Sequence, residues 1–305
     1  MKPPSGHKKT LTRLSQEVFN TPLMIEPAKA EVIVAALYDR LNVSALERLD
    51  GTTLEAKEML ALAGDARRSY ENWKPFHMDD EIAVIPVDGT LVHKYGHLDP
   101  YSGMTGYDGI ARKFRAAMRD EDVKAIWLDI DSPGGSTSGC FELCYEILKN
   151  SQSEGGKKPV WAYVDEQACS AAYAIASVCD KIYAPRTGMA GSIGCYLIYT
   201  DWSKRMDAEG LKTTIIRAGE RKARITGTEP LDKEEVVSLQ AWVDDTRRQF
   251  AELVAAGRDM TVEAVLATEA RWYTGYDAAE MGLIDSVMGQ DEAWDRLKSQ
   301  IGQDA

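Results

Sequence analysis

No histidine occurs after position 97 in this chain of 305 residues; the four present are His7, His77, His93 and His97. A hydrolase in which a serine is followed along the chain by its imidazole base is therefore excluded for every later serine. No run approaches the 18 or so apolar residues that a membrane span requires. The N-terminus, MKPPSGHKKTLTRLSQE, is basic, but no apolar stretch follows it, so it does not read as a secretory signal. A soluble, cytoplasmic chain without membrane contact is expected. Positive charge is scarce, with 36 Lys and Arg against 48 Asp and Glu and a net charge of −12, which argues against a nucleic-acid surface. Cysteine is sparse and odd in number: Cys140, Cys144, Cys169, Cys179 and Cys195 read as buried, reduced thiols. Cys140 and Cys144 share a helix face but lack the further ligands a metal site needs, so neither metal nor cofactor is expected.

What remains is an ordinary globular composition, long enough for one large or two medium domains. Residues 1 to about 24 read as a loose polar arm. Helical patterns follow from Pro27 to about Leu41 and from Thr53 to Leu62. A buried strand at Glu81–Val87 (EIAVIPV) and a turn at Asp88-Gly89 open the main domain near residue 80. Strands and helices then alternate. The strands are Val123–Ile130, Pro159–Val164 and Lys181–Ala184; the helices are Ile110–Met118, Ser138–Lys149, Ser170–Ser177 and a long one at Asp232–Ala256 capped by Gly257. Such alternation predicts parallel strands joined by crossover helices. No internal repeat or low-complexity segment is present.

Three features could carry chemistry. Pro133-Gly134-Gly135 follows a buried strand, where glycines free backbone N–H groups to hold a developing oxyanion. Ser170, in Ala-Cys-Ser-Ala-Ala-Tyr, opens a helix of small residues that would let a peptide approach its hydroxyl. Lys222, in Gly-Glu-Arg-Lys, follows Ser170 by 52 positions. A neutral lysine can activate a serine, but its usual pKa of about 10.4 must first fall; Arg221 and Arg224 supply the positive charge that would lower it. Each feature also has an ordinary meaning: a strand-to-helix turn, an N-cap serine, a solvated basic loop.

In order and spacing, five segments resemble the signal peptide peptidase A family, the Ser–Lys branch of the ClpP/crotonase superfamily. They are IWLDIDSPGG (126–135), VDEQACSAAYAIASVCDKIYA (164–184), GMAGSIGCY (188–196), AGERKARITGTEPLDKEE (218–235) and RWYTGYDAAEMGLID (271–285). The resemblance implies an α/β fold, a ClpP/crotonase-like repeated β-β-α superhelix with an N-terminal helical arm. It divides the chain into an arm and helices at 1–79, a Ser–Lys peptidase domain at 80–290 and a tail at 291–305. It makes Ser170 the nucleophile, Lys222 the general base, Gly135 the oxyanion donor and Ser192 the residue orienting the lysine. The last segment is read as structural, a helix packed on the strands.

Two departures point within the family. Cellular members carry two glycines after the serine where this chain has Ala171-Ala172, which narrows substrate access. They also carry a membrane anchor, of which this sequence has no sign. A soluble chain opening with TPLMIEPAKAEVIVAAL resembles instead the phage capsid-assembly branch, acting in the host cytoplasm or procapsid interior on scaffold, portal and capsid-related proteins. The family forms homo-oligomeric rings or domes in which neighbouring subunits contribute serine and lysine to one site. The alternatives are a soluble bacterial protease of signal-peptide-peptidase type, a non-catalytic procapsid component, and an acyl-CoA enzyme of crotonase type that needs no serine.

Overall fold

The computed structural model describes residues 74–94 and 103–303, together with the backbone of 45–47 and 53–55. The chain divides into two compact units, Met1–Lys74 and Pro75–Ala305. In the first, β1 (Ala45–Glu47) and β2 (Thr53–Glu55) pair antiparallel. The helix expected from Thr53 thus gives way at its start to a strand, an extended state that β-branched threonine favours. The rest of that segment, the helix expected at 27–41 and the arm at 1–24 lie outside the described residues.

The second unit is mixed α/β. Its sheet runs β10 (Trp272–Thr274), β9 (Met189–Gly191), β7 (Val160–Cys169), β6 (Ala125–Gly135), β4 (Ile82–Val92), β3 (His77–Asp79). The pairs β4–β6, β6–β7 and β7–β9 are parallel, as the alternation predicts, while β3 and β10 run antiparallel to their neighbours. β5 (Met104–Gly106) pairs with the end of β4, β8 (Lys181–Ala184) with the start of β7, and β11 (Ser286–Val287) with β8.

Side-chain alternation gives the sheet two different faces. Ile85, Val87, Ile126, Leu128, Ile130, Ala162 and Val164 point to one side. They are covered by α1 (Tyr107–Arg119), α2 (Cys140–Asn150), α3 (Ala171–Ser177) and the last turns of α5 (Lys233–Arg258), with α4 (Ser203–Ala208) on the connection before it. On the other side Trp127, Trp161, Tyr163 and Tyr183 meet Ala293 and Leu297. Those two belong to α8 (Gln290–Gln303), which follows α6 (Val262–Leu266) and α7 (Gly275–Glu280). Trp127 stacks on Tyr163 at 5.5 Å and meets the edge of Trp294 at 5.2 Å. The segment set apart as a tail at 291–305 therefore contributes a helix to the core. Among the described residues no helix is long and apolar enough to cross a membrane.

Two irregularities bend the strands at one level. Between β4 and β6 the register advances from Asp88↔Asp131 to Thr90↔Gly134; between β6 and β7 it advances from Ile130↔Val164 to Ser132↔Ala168. Extra residues on one strand kink it and increase its twist. The expected turn at Asp88-Gly89 instead continues β4, opposite a bulge whose extra residue lies on β6, and Pro133-Gly134-Gly135 is the end of β6 rather than a strand-to-helix turn. Beyond the kinks, β4, β6 and β7 form a second tier with β5, β9 and β10.

α5 begins on Asp232, whose carboxylate accepts from the Glu235 N–H at 2.8 Å. It runs one residue past the expected Gly257 cap and ends at a left-handed Asp259. Gly257 has another use: a Cβ there would lie 2.1 Å from the Ser177 carbonyl oxygen, so it lets α5 press against the end of α3.

Candidate active site

Ser170 sits where β7 ends and α3 begins. Its N–H donates to the Gly191 carbonyl at 2.9 Å and its own carbonyl accepts from Ala174 at 3.0 Å. It holds the N-cap position, yet its hydroxyl caps nothing, and its backbone adopts φ 54°, ψ −124°. Such a conformation is strained for a residue with a side chain and persists only where the surroundings impose it. The common reason for a serine at a helix start is therefore missing. All seven residues of α3 are buried, and Tyr173 at its centre donates its hydroxyl to the Leu283 carbonyl at 2.9 Å. Cys169 is adjacent, but burial pushes its thiol up, away from the thiolate a competing nucleophile would need.

The Pro-Gly-Gly strand end lies against this serine. A Cβ on Gly134 would fall 2.8 Å from the Ser170 Cβ, and one on Gly135 would fall 1.9 Å from the Leu91 carbonyl oxygen. The Ser136 N–H donates to that same carbonyl at 2.9 Å, so alternation along the parallel ladder turns the Gly135 N–H away from β4. Ser132, fully buried, braces the kink: its hydroxyl donates to the Gly89 carbonyl at 2.6 Å and accepts from the Gly134 N–H at 3.1 Å. Tyr107 braces the other end by donating to the Ser136 carbonyl at 2.5 Å. The sequence reading missed both braces. Ser132 stood inside the quoted motif, whereas Tyr107 is 29 residues away and nothing local announces it.

Two cavities meet at Ser170. One, of about 450 Å³, is mainly apolar, lined by Leu91, Phe141, Ala171, Tyr196 and Phe250 among others. Of the two alanines that replace glycine, Ala171 lines this cavity and Ala172 does not. The other, of about 590 Å³, is more polar: Ser170, Ser192, Gly135, Arg247 and Glu269 line it. Ser192 has φ 56° and donates its N–H to the Arg271 carbonyl at 2.8 Å. Neither the Ser170 nor the Ser192 hydroxyl makes a hydrogen bond among the described residues.

Ser170, Gly135 and Ser192 thus share one cavity. Lys222 does not join them: it is exposed and lines neither cavity. The two arginines expected to lower its basicity are paired with carboxylates at the start of α5, Arg221 with Glu234 and Arg224 with Asp232 at 3.2 Å. The connection carrying Lys222 exposes large apolar side chains, Tyr196 at 84% and Ile216 at 96%, and Trp242 on α5 is 60% exposed. Four cysteines are buried and Cys195 is partly exposed; all are free. Among the described residues no group of three or more His, Cys, Asp or Glu could hold a metal ion.

Residues 152–304 match the model of peptidase family S49. The chain belongs to that family. It is 35% identical to the head-tail preconnector protein GP5 of Enterobacteria phage P21, over 94% of this chain and 57% of that protein. With capsid assembly protease C of Escherichia phage lambda it shares 36% identity, over 93% of this chain and 65% of the relative. Protease 4 of Haemophilus influenzae is 30% identical over 75% of this chain and 36% of that protein. The chain thus spans less than two thirds of the phage relatives it matches. The family match includes Ser170, Ser192 and Lys222 and begins after Gly135.

Proposed function

We propose that this chain is a serine endopeptidase of the phage prohead type, cutting scaffold and capsid-related proteins during head assembly. The observation that carries the reading is Ser170 itself: a strained serine at a helix start, its hydroxyl uncommitted, at the junction of two cavities and against a glycine strand end. In the reaction Ser170 Oγ attacks a peptide carbonyl while Lys222 Nζ takes its proton. The oxyanion accepts from the Gly135 N–H, an interaction that strengthens as charge develops. Collapse breaks the C–N bond, and the lysine returns the proton to the leaving amine. Lys222 then deprotonates a water, which attacks the acyl-enzyme to release the acid and restore the serine. Ser192 holds the lysine in line. The apolar cavity takes the side chain preceding the cleaved bond, with Ala171 limiting its size.

In this reading Lys222 comes from a neighbouring copy. Its exposure in one subunit, its position away from both cavities, and the exposed Tyr196, Ile216 and Trp242 around its segment all support assembly through that surface. The ring or dome, the ClpP/crotonase-like superhelix with its helical N-terminal arm, and action in the host cytoplasm or procapsid belong to the same proposal. The kinked two-tier sheet supports the fold assignment, and the names of the phage relatives support the substrates and site of action.

The test is labelling of the full chain by a fluorophosphonate, with mass-spectrometric location of the adduct, alongside cleavage of a denatured capsid-protein substrate. Ser170→Ala should abolish the adduct, and both Ser170→Ala and Lys222→Ala should slow cleavage by more than about 1,000-fold. Undiminished cleavage by either variant would remove the assignment.

A further inference from the structure

Arg247 projects from α5 into the wall of the polar cavity that also holds Ser170. Its guanidinium offers five N–H donors, and the protein uses those of one nitrogen only. Nη2 donates to the Leu266 carbonyl at 2.8 Å and sits 3.5 Å from Glu269 Oε1 in a loose ion pair with a largely exposed carboxylate. Nε is enclosed and meets no acceptor, and Nη1 makes no hydrogen bond among the described residues. The facing wall is set by backbone conformation: Glu269 and Ala270 are both left-handed, with φ 49° and 57°, and Ala270 lines the same cavity. With Nε enclosed and Nη2 engaged, Nη1 is the nitrogen left to donate, so a fixed cation on the wall of the cleft that contains Ser170 is arranged to receive an anion through a charge-assisted hydrogen bond. The apolar cavity that shares Ser170 with it has no charged side chain in its lining.

Building on the peptidase reading, we propose that Arg247 recognises a substrate carboxylate, so that cleavage is selected by an acidic group entering the polar cavity rather than the apolar one. Arg247 is a specificity residue in this scheme, and Glu269 is its competitor, a carboxylate that a substrate acid displaces. The carboxylate has two sources, an Asp or Glu side chain or the free end of a peptide.

The experiment uses the full chain and a synthetic peptide library made in matched sets: Glu or Gln at one fixed position, each with a free or an amidated C-terminus. Cleavage is followed by mass spectrometry. At one position the wild-type protein should cut Glu peptides about tenfold faster than their Gln partners, as expected for a charge-assisted contact. Arg247→Gln should bring that ratio close to one, and Arg247→Lys should restore part of it. Glu269→Gln should raise the ratio, a shift that a purely structural role for Arg247 would not produce. A preference confined to free-acid peptides identifies the chain end as the source; one that survives amidation identifies the side chain. An acid preference that persists in Arg247→Gln, or its absence from the wild type, overturns the proposal. If the wild type cuts nothing and Ser170 takes no label, it is the peptidase reading that falls. The same peptides, fluorescein-tagged, are then measured as ligands of Ser170→Ala by anisotropy, where equal affinity for Glu and Gln forms overturns the role of Arg247.

Discussion

The stretch that carries Ser170 and the stretch that carries Lys222 are built on opposite terms. From Val160 to Ile193 nearly every apolar side chain is enclosed, backbone partners fix the serine on both sides, and the strain at its φ is held by the packing around it. From Tyr196 to Trp242 large apolar side chains face outward, regular structure is confined to one six-residue helix before α5, and Lys222 stands in solvent. In the proposed pair, the serine half is therefore complete in a single fold, while the lysine half is presented on a surface that carries exposed apolar area. Burial on the first side supplies precision; exposure on the second supplies a reason to associate.

The sharpest way to break this contrast is to mix variants. Ser170→Ala and Lys222→Ala subunits, each inactive alone, are co-assembled in equal amounts from denaturant. Where each site draws its serine from one subunit and its lysine from another, about a quarter of sites recover both groups by chance. Peptide cleavage should return to that order. If the lysine reaches the serine of its own chain, the mixture stays as inactive as its parts.

A smaller effect separates the two stretches by backbone geometry. Gly135→Ala places a Cβ 1.9 Å from the Leu91 carbonyl oxygen and 2.7 Å from the Leu91 nitrogen, atoms that cannot move without distorting β4. Gly219→Ala, three residues before Lys222, suffers only the strain of φ +95°, with no atom within 4 Å of the new carbon. The first should lower the unfolding free energy by about 3 kcal/mol or more and the second by about 1 kcal/mol. Urea denaturation of the two variants checks the gap, and equal losses would show that the two stretches are held alike.

Elements of both stretches are legible in sequence where their physics is local. Lys181–Ala184 emerges with the expected bounds, and Asp232 caps α5 through a carboxylate three residues from its donor. The strands around Ser170 run further than expected, since they continue past the register shifts through residues that otherwise read as turns: Asp88-Gly89 on β4 and Pro133-Gly134-Gly135 on β6. A bulge depends on the register of a neighbouring strand, which no single segment specifies. Arg247 went unnoticed for a related reason. On a helix rich in charge it looks like any solvated arginine, and only tertiary packing sets it in the lining of the cavity that holds Ser170. The arginines flanking Lys222 find carboxylate partners 8 and 13 residues away at the start of α5, a pairing that nothing local announces.

The finest contrast is between two aspartates. Asp129, on β6, the strand paired with β7 of the buried stretch, has its carboxyl pushed up to about 6, first by burial and then by Asp165 and Asp88, and its Oδ1 is enclosed without a donor. Asp201, on the exposed connection, is shifted down by hydrogen bonds from Ser203. Because the native state keeps a proton on Asp129 that the unfolded chain releases near pH 4, its contribution is full below that value. It is lost as the pH rises through about 6. Asp129→Asn removes the charge that must otherwise be held in place, so it should stabilise the protein by about 1–2 kcal/mol at pH 8, allowing for the water that still reaches the carboxyl. The gain should shrink through pH 6 and vanish by pH 4, whereas Asp201→Asn should bring no gain at pH 8. Urea midpoints at the three pH values measure this directly. A gain from Asp129→Asn that is equal at all three would trace the effect to the amide's new hydrogen bonds, and burial of the charge would no longer distinguish the two stretches.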